Sequence, residues 1–339
     1  MATSNAAPAA LLDALQQIRD PLFPAGIPAT WVTVEGTTAT LQLPFAAGPG
    51  VLTLLNSTAV CQDYQWQLVI KPETLRNSQP EMPRMHGNVV VISSGKGGVG
   101  KSSATVQLAL ALQQLGARVG VLDADIYGPS IPTMLGKANE PLQFTEDNKM
   151  IPHDCYGLQV NSLGYLTGKG DAAIWRGPMA SAALQQLFRD TKWQPLDYLL
   201  VDMPPGTGDI QLTFAQKLPI TGAVVVTTPQ NVALADAEKG IAMFRKVNIP
   251  ISGVLENMSY FECSQCGHQE PIFGRDGGAH TAAEQQVPLL GQWPLATRMQ
   301  AALDAGKPLL TSSPDDALCE AMRRSAELLA ASLYHQAKK

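Results

Sequence analysis

The chain has 339 residues, 45% hydrophobic and 16% charged, with a formal net charge of -5; this balance excludes a disordered or fibrous protein and suggests two folded units. The mild acidity leaves no electrostatic footprint for wrapping nucleic acid, and no apolar run reaches the roughly 18 residues needed to span a bilayer. The opening MATSNAAPAALLDALQQIRD lacks a basic region ahead of its apolar part and carries Asp13, so a cytoplasmic protein with no nucleic-acid or membrane partner is expected.

In chain order, Ala9, Leu12, Leu15 and Ile18 have helical spacing, and ATWVTV and TATLQLPF read as strands around the Glu35-Gly36 turn. Residues 1–70 are therefore expected to form a small divergent α+β unit. From Lys71 to Gly87 three prolines lie among polar residues, which reads as a linker with nothing to pack into a core. Residues 88–339 then alternate apolar strands (NVVVIS, RVGVLDAD, DYLLVDM, GAVVVTT, ISGVLENM) with helices, the first from Ser102 to about Leu115. Continuous rather than alternating apolar strands imply burial on both faces, hence a doubly wound, mostly parallel α/β sheet. The last segment spaces Leu318, Met322, Leu329 and Leu333 along one side. Its polar face is only weakly basic despite Lys338 and Lys339, which favours a packing helix over one lying on a membrane.

The stretch VISSGKGGVGKSS matches G-x-x-x-x-G-K-[ST] as Gly95, Gly100, Lys101 and Ser102, after a strand and before a helix, where a phosphate loop must lie. Glycines let backbone N–H groups turn toward a phosphate chain, the helix N-terminus adds its dipole, Lys101 supplies a full charge, and Ser102 can hold Mg²⁺. The expected ATP-binding set is Gly95, Lys96, Gly97, Gly98, Val99, Gly100, Lys101, Ser102 and Ser103. The G-K-G-G-V-G-K-S form resembles the deviant P-loop of the SIMIBI ATPases. That resemblance implies that Lys96 crosses a dimer interface to the partner's nucleotide, where otherwise it is a solvated loop lysine. Lys96 and Lys101 are both candidate catalytic residues.

Asp202 ends the apolar strand YLLVD and is the expected carboxylate for water-bridged Mg²⁺, with Gly206 and Gly208 following in a loop able to sense the γ phosphate. Asp123 and Asp125 end a second strand: Asp125 is the candidate that orients the attacking water, and Asp123 the one nearer the metal shell. Asn257, after GVLE, matches the position where this class contacts adenine; a turn-forming asparagine is the other reading.

Five cysteines, Cys61, Cys155, Cys263, Cys266 and Cys319, form an odd, scattered set unsuited to a disulfide framework. Only Cys263 and Cys266 are close, in C-x-x-C spacing. Two thiolates cannot complete a tetrahedral ion or a four-iron cluster, whereas a symmetric dimer brings four together. A redox dithiol, an incidental pair and a zinc site with His268 remain alternatives.

The stretches SSGKGGVGKSS, LDADIYGPSIPTMLG, WRGPMAS, DYLLVDMPPGTGDIQLT, TTPQNVALADAEKG, ENMSYFECSQCG and PIFG together resemble the Mrp/ApbC family of iron-sulfur cluster carrier ATPases, from Asn88 to about Leu310. The resemblance implies a homodimer that binds a [4Fe-4S] cluster between two Cys263/Cys266 pairs. It also implies delivery to apo iron-sulfur recipient proteins, exchange with cluster scaffold proteins, and slow ATP hydrolysis that regulates transfer. LLDALQQIRDP resembles the family's small appended domain. The competing functions are a partitioning or site-selection ATPase, which needs no cysteines, and a dimer with a structural zinc.

Overall fold

The computed structural model describes residues 7–79, 87–138, 140–166 and 177–338. Residues 80–86 of the expected linker, Trp175 and Arg176 of WRGPMAS, and Lys339 lie outside them.

Helix α1 (Ala9–Gln17) starts behind Pro8, whose carbonyl accepts from the Leu11 and Leu12 N–H groups, and buries Leu11 and Leu15. It ends earlier than the apolar spacing suggests because Ile18 is already extended, its N–H turning back to the Leu15 carbonyl. Strands β1 (Val32–Glu35) and β2 (Thr38–Leu43) form the expected antiparallel hairpin, with Gly36 in the left-handed region at the turn. After α2 (Gly50–Asn56), β3 (Gln65–Ile70) joins β2 in parallel, a strand with alternating exposure that the sequence reading did not foresee.

The larger sheet begins with β4 (Asn88–Ser93), followed by α3 (Lys101–Gln114), β5 (Val119–Asp123) and α4 (Ile131–Met134). A short hairpin of β6 (Gln143–Phe144) and β7 (Met150–Ile151) precedes β8 (His153–Cys155) and β9 (Leu158–Ser162). Then come α5 (Gly177–Asp190), β10 (Tyr198–Asp202), α6 (Asp209–Lys217), β11 (Ile220–Thr227), α7 (Asn231–Lys246) and β12 (Ile251–Glu256). A second hairpin, β13 (Phe261–Glu262) with β14 (Gln269–Glu270), leads to α8 (Gly277–Glu284), β15 (Leu289–Gln292), α9 (Thr297–Asp304), α10 (Leu309–Ser312) and α11 (Ala317–Ala337).

The eight strands run β15-β12-β11-β4-β10-β5-β9-β8, all parallel except the β8–β9 pair. Strands β4, β5, β10, β11 and β12 are buried along their whole length, as the unbroken apolar runs require of a sheet covered on both faces. One face packs under α3, α10 and α11, the other under α5 to α8. From β4 the chain goes to β5 on one side and, after β10, crosses to β11 on the other. The direction of the connections therefore reverses around β4, and this architecture places ligands at the carboxyl ends of the strands there.

Two expectations gain detail. Helix α11 buries Leu318, Met322, Leu329 and Leu333, so the C-terminal segment is a packing helix, and among the described residues no helix is long and apolar enough to cross a membrane. The segment after Lys71 differs from the reading that nothing in it packs: Leu75 is buried in the core, its N–H donates to Asn88 Oδ1 (2.9 Å), and Ser78 N–H donates to the Ile220 carbonyl (2.7 Å). A single apolar anchor plus backbone bonds has no period, so no pattern search registers it.

Candidate functional site

Strand β4 delivers the chain into a loop in which two glycines are required by close approaches. A Cβ on Gly95 would lie 2.3 Å from the Asp236 backbone, and one on Gly100 would lie 2.2 Å from Asn257 Nδ2. Gly98 and Gly100 both take left-handed φ values of 84°, which glycine adopts without strain. Gly97 and Gly98 are exposed, Val99 is buried, and Ser102 and Ser103 sit half-buried in the first turn of α3.

Lys101, the first residue of α3, is 6% exposed, and its ammonium lies 2.7 Å from Asp202 Oδ2 and 3.5 Å from Asp125 Oδ2. Ser102 Oγ donates to the same Asp202 oxygen at 2.5 Å, and Thr105 Oγ1 donates to Asp202 Oδ1 at 2.7 Å. Asp202, wholly buried at the end of β10, is thus a charge matched by one cation and two hydroxyls, the condition for burying it. Asp123 is equally buried and accepts from Asp125 N–H, Ile131 N–H and Ser162 Oγ at 3.0–3.2 Å. Burial first, and the nearby Asp202 charge second, push its pKa up to about 8. Asp125 holds the Tyr127 N–H on one oxygen and turns the other toward Lys101.

On the opposite side, Asn257 donates from Nδ2 to the Val99 carbonyl at 2.9 Å, while its Oδ1 is enclosed without a partner among the described residues. Lys96 is half-buried, and among the described residues its ammonium has a single long contact, Gln230 Oε1 at 3.5 Å. Hard oxygens beside a lysine, and an orphaned buried acceptor against the loop, fit a magnesium nucleotide: Ser102 and Asp202 for the metal, Asn257 Oδ1 for an amino group on the base.

Cys263 and Cys266 lie in the loop of the β13–β14 hairpin, the first half-exposed and the second exposed. Cys263 N–H donates to the His268 carbonyl and Gly267 N–H to the Cys263 carbonyl, both at 2.9 Å, closing a tight turn. The backbone N–H groups of Gln265 and Cys266 point at the Cys263 sulfur and, with the Cys266 thiol, hold its pKa below the ordinary thiol value. Among the described residues no third histidine, cysteine or carboxylate joins this pair in a group able to hold a metal. The other three cysteines are buried, and burial pushes the thiol of Cys155 up to about 12 and that of Cys319 up to about 11.

Residues 86–330 match the family described as NUBPL iron-transfer P-loop NTPase. The chain belongs to this family. The iron-sulfur cluster carrier protein of Haemophilus influenzae is 49% identical over 305 residues, covering 87% of this chain and 82% of the relative. That of Escherichia coli is 52% identical over 273 residues, covering 80% and 74%. Among solved structures, the nucleotide-binding protein in complex with ADP from Archaeoglobus fulgidus superposes with a TM-score of 0.59 at 34% identity, covering 65% of this chain and 87% of that one. The MinC:MinD cell division complex of Aquifex aeolicus gives 0.51 at 19% identity, covering 71% and 94%, a likeness of fold alone.

In this NUBPL-type chain the structure brings Lys101, Ser102, Asp125 and Asp202 into direct contact, and Asn257 onto the loop beside them. Asp123 sits one layer deeper, while the thiols sit on a separate hairpin six residues beyond Asn257. Sequence reasoning missed Thr105, Gln230 and Ser162. Thr105 was within reach, because a hydroxyl four residues after Lys101 lies on the same face of α3. Gln230 and Ser162 come from distant parts of the chain and carry no local signal.

Proposed function

We propose that this protein is an ATP-hydrolysing carrier of a [4Fe-4S] cluster that works as a cytoplasmic homodimer. Cys263 and Cys266 of each copy hold the cargo, which arrives from scaffold proteins and passes to apo recipients. The observation that carries the proposal is the unfinished thiol pair: two sulfurs at the surface, one with a lowered pKa, and no third ligand among the described residues. Thiolates suit iron-sulfur cargo, and two copies supply the four that such a cluster takes. Relatives named iron-sulfur cluster carrier protein, at about half identity over most of the chain, support the same reading. Handover is thiolate exchange at iron, in which each Cys263 or Cys266 sulfur is replaced by a recipient sulfur with no change in electron count.

The nucleotide site acts through its own residues. Lys101 leaves Asp202 to meet phosphate oxygens, freeing the Asp202 carboxylate and the Ser102 hydroxyl for the metal shell. When bound, Mg²⁺ neutralises charge on the phosphates. Asp125, beside Lys101, accepts a hydrogen bond from the attacking water and orients it. Asn257 accepts the base amino group, and Lys96, weakly held in its own chain, serves the partner's nucleotide.

Anaerobic reconstitution with iron and sulfide is expected to give a broad absorption band with about four irons per dimer. Cys263→Ala or Cys266→Ala removes it, and a full band in both variants refutes the assignment. Lys101→Ala abolishes ATP binding, whereas Lys96→Ala keeps binding and loses turnover; wild-type turnover in Lys96→Ala contradicts the role across the dimer.

A further inference from the structure

The thiol hairpin is attached to the molecule by few bonds. Strands β13 and β14 pair over two residues each, and so short a two-stranded ribbon is not stable by itself in water. Its entering strand lies along residues 293–295. Ser259 N–H donates to the Trp293 carbonyl (2.9 Å), Leu295 N–H to the Tyr260 carbonyl (2.7 Å), and Glu262 N–H more weakly to the Leu295 carbonyl (3.4 Å). The backbone bonds of Cys263 then close within the hairpin.

At that boundary the anchor is a side chain. Glu262 Oε1 accepts from Arg298 Nη1 at 2.6 Å, and Arg298 Nε and Nη2 donate to the two oxygens of Asp316 at 2.7 and 3.2 Å. Asp316 in turn caps α11 by accepting the Leu318 N–H at 2.8 Å. One guanidinium near the start of α9 therefore ties the residue preceding the first thiol to the N-terminus of the longest helix. All three side chains are half-buried, and a planar fork serves two carboxylates at fixed angles as an ammonium does not.

We propose that Arg298 is a positioning residue for the thiol pair: by clamping Glu262 against Asp316 it fixes the direction in which Cys263 and Cys266 leave the body, and so sets how long a shared cluster is retained. This rests on the proposed cluster-binding role of the hairpin. A ligand set assembled from two copies tolerates little error in direction, because each pair must meet the other across an interface.

The test uses the full-length dimer, reconstituted without oxygen, and follows loss of the cluster band to a ferrous chelator. ATP affinity and the melting temperature of the cluster-free protein are recorded alongside. Arg298→Gln and Glu262→Gln are each expected to lose the cluster about tenfold faster, the order set by one charge-assisted hydrogen bond. The double variant is no faster than either single one, and Arg298→Lys is intermediate. ATP affinity stays at the wild-type value throughout. Where Arg298→Gln also lowers the melting temperature, Glu262→Gln decides, because it leaves the Arg298–Asp316 pair intact. Wild-type retention in Glu262→Gln, or additive effects in the double variant, overturns the clamp. Failure of the underlying role looks different: the wild type takes up no cluster, or Cys263→Ala keeps it.

Discussion

The N-terminal unit and the thiol hairpin are both peripheral to the nucleotide-binding sheet, yet they are attached in opposite ways. The first is joined through a shared core. Phe45, fully buried, packs against Phe23, Trp31, Tyr334 and His335 at ring-centroid distances of 5.7–6.1 Å, the last two from α11. Around these rings Glu327 accepts the Gly48 N–H at 2.7 Å, Arg324 pairs with Asp20 at 3.1 Å, and Ala46 N–H donates to Tyr198 of β10 at 3.3 Å. Among the described residues no such ring cluster joins the hairpin to the body, although β13 carries Phe261. Its attachment is a few backbone bonds and one three-membered ion pair, and its two sulfurs face outward. Apolar burial makes a permanent joint because separating it exposes the whole ring cluster to water. Directional polar bonds hold an orientation while leaving the groups they orient accessible, which suits the proposed handover of a cluster.

Thiol chemistry is expected to separate the two regions most widely. At pH 8 an alkylating reagent modifies Cys263 and Cys266 in the cluster-free native protein. Burial and a pKa of about 12 slow Cys155 by about a thousandfold through its thiolate fraction alone. Mass mapping of labelled peptides reads this out, and fast labelling of Cys61 would show that the N-terminal joint opens. For stability, the raised Cys155 pKa favours the fold below the ordinary thiol value of 9.0, and that contribution is lost as the pH climbs toward 12.

Next in size is Phe45→Ala, expected to cost about 3–5 kcal/mol in denaturant melts, with a single transition for both units. Two separated transitions would break the picture of a common core. Glu327→Ala leaves the Gly48 N–H without its acceptor and should cost about 1–3 kcal/mol. At the small end, Cys266→Ala is expected to shift stability by no more than about 0.5 kcal/mol, since an exposed side chain on a two-residue ribbon bears little on the fold.

Much of this molecule was legible beforehand where local chemistry repeats or is unusual. The strands that became β4, β5, β10, β11 and β12 were read from unbroken apolar runs, because a strand covered on both faces leaves no polar position. Strand β9 was not, because its Asn161 and Ser162 are polar and buried; their partners, Thr191 and Asp123, lie elsewhere in the chain. Strands β3 and β15 were missed for the related reason that an edge strand, exposed in part, shows weak patterning. Within the candidate site the phosphate loop and the thiol pair were legible as motifs. Thr105 was within reach from its place on the Lys101 face of α3, whereas Arg298 was not, since it matters through bonds to two carboxylates far from it in the chain.

By itself the sequence determined the parts whose geometry is settled between near neighbours: the left-handed glycines of the loop, the lysine and serine that open α3, and two cysteines within one tight turn. Those follow from torsional sterics and short-range hydrogen bonding, which act within a few residues. Only the tertiary structure decided that Ser102 meets Asp202 across 100 positions, that Gly48 meets Glu327 across 279, and that Arg298 joins Glu262 to Asp316. Such pairings depend on how the sheet closes and what it then excludes from water, and a single residue bonded to a distant partner leaves no period in the chain to read.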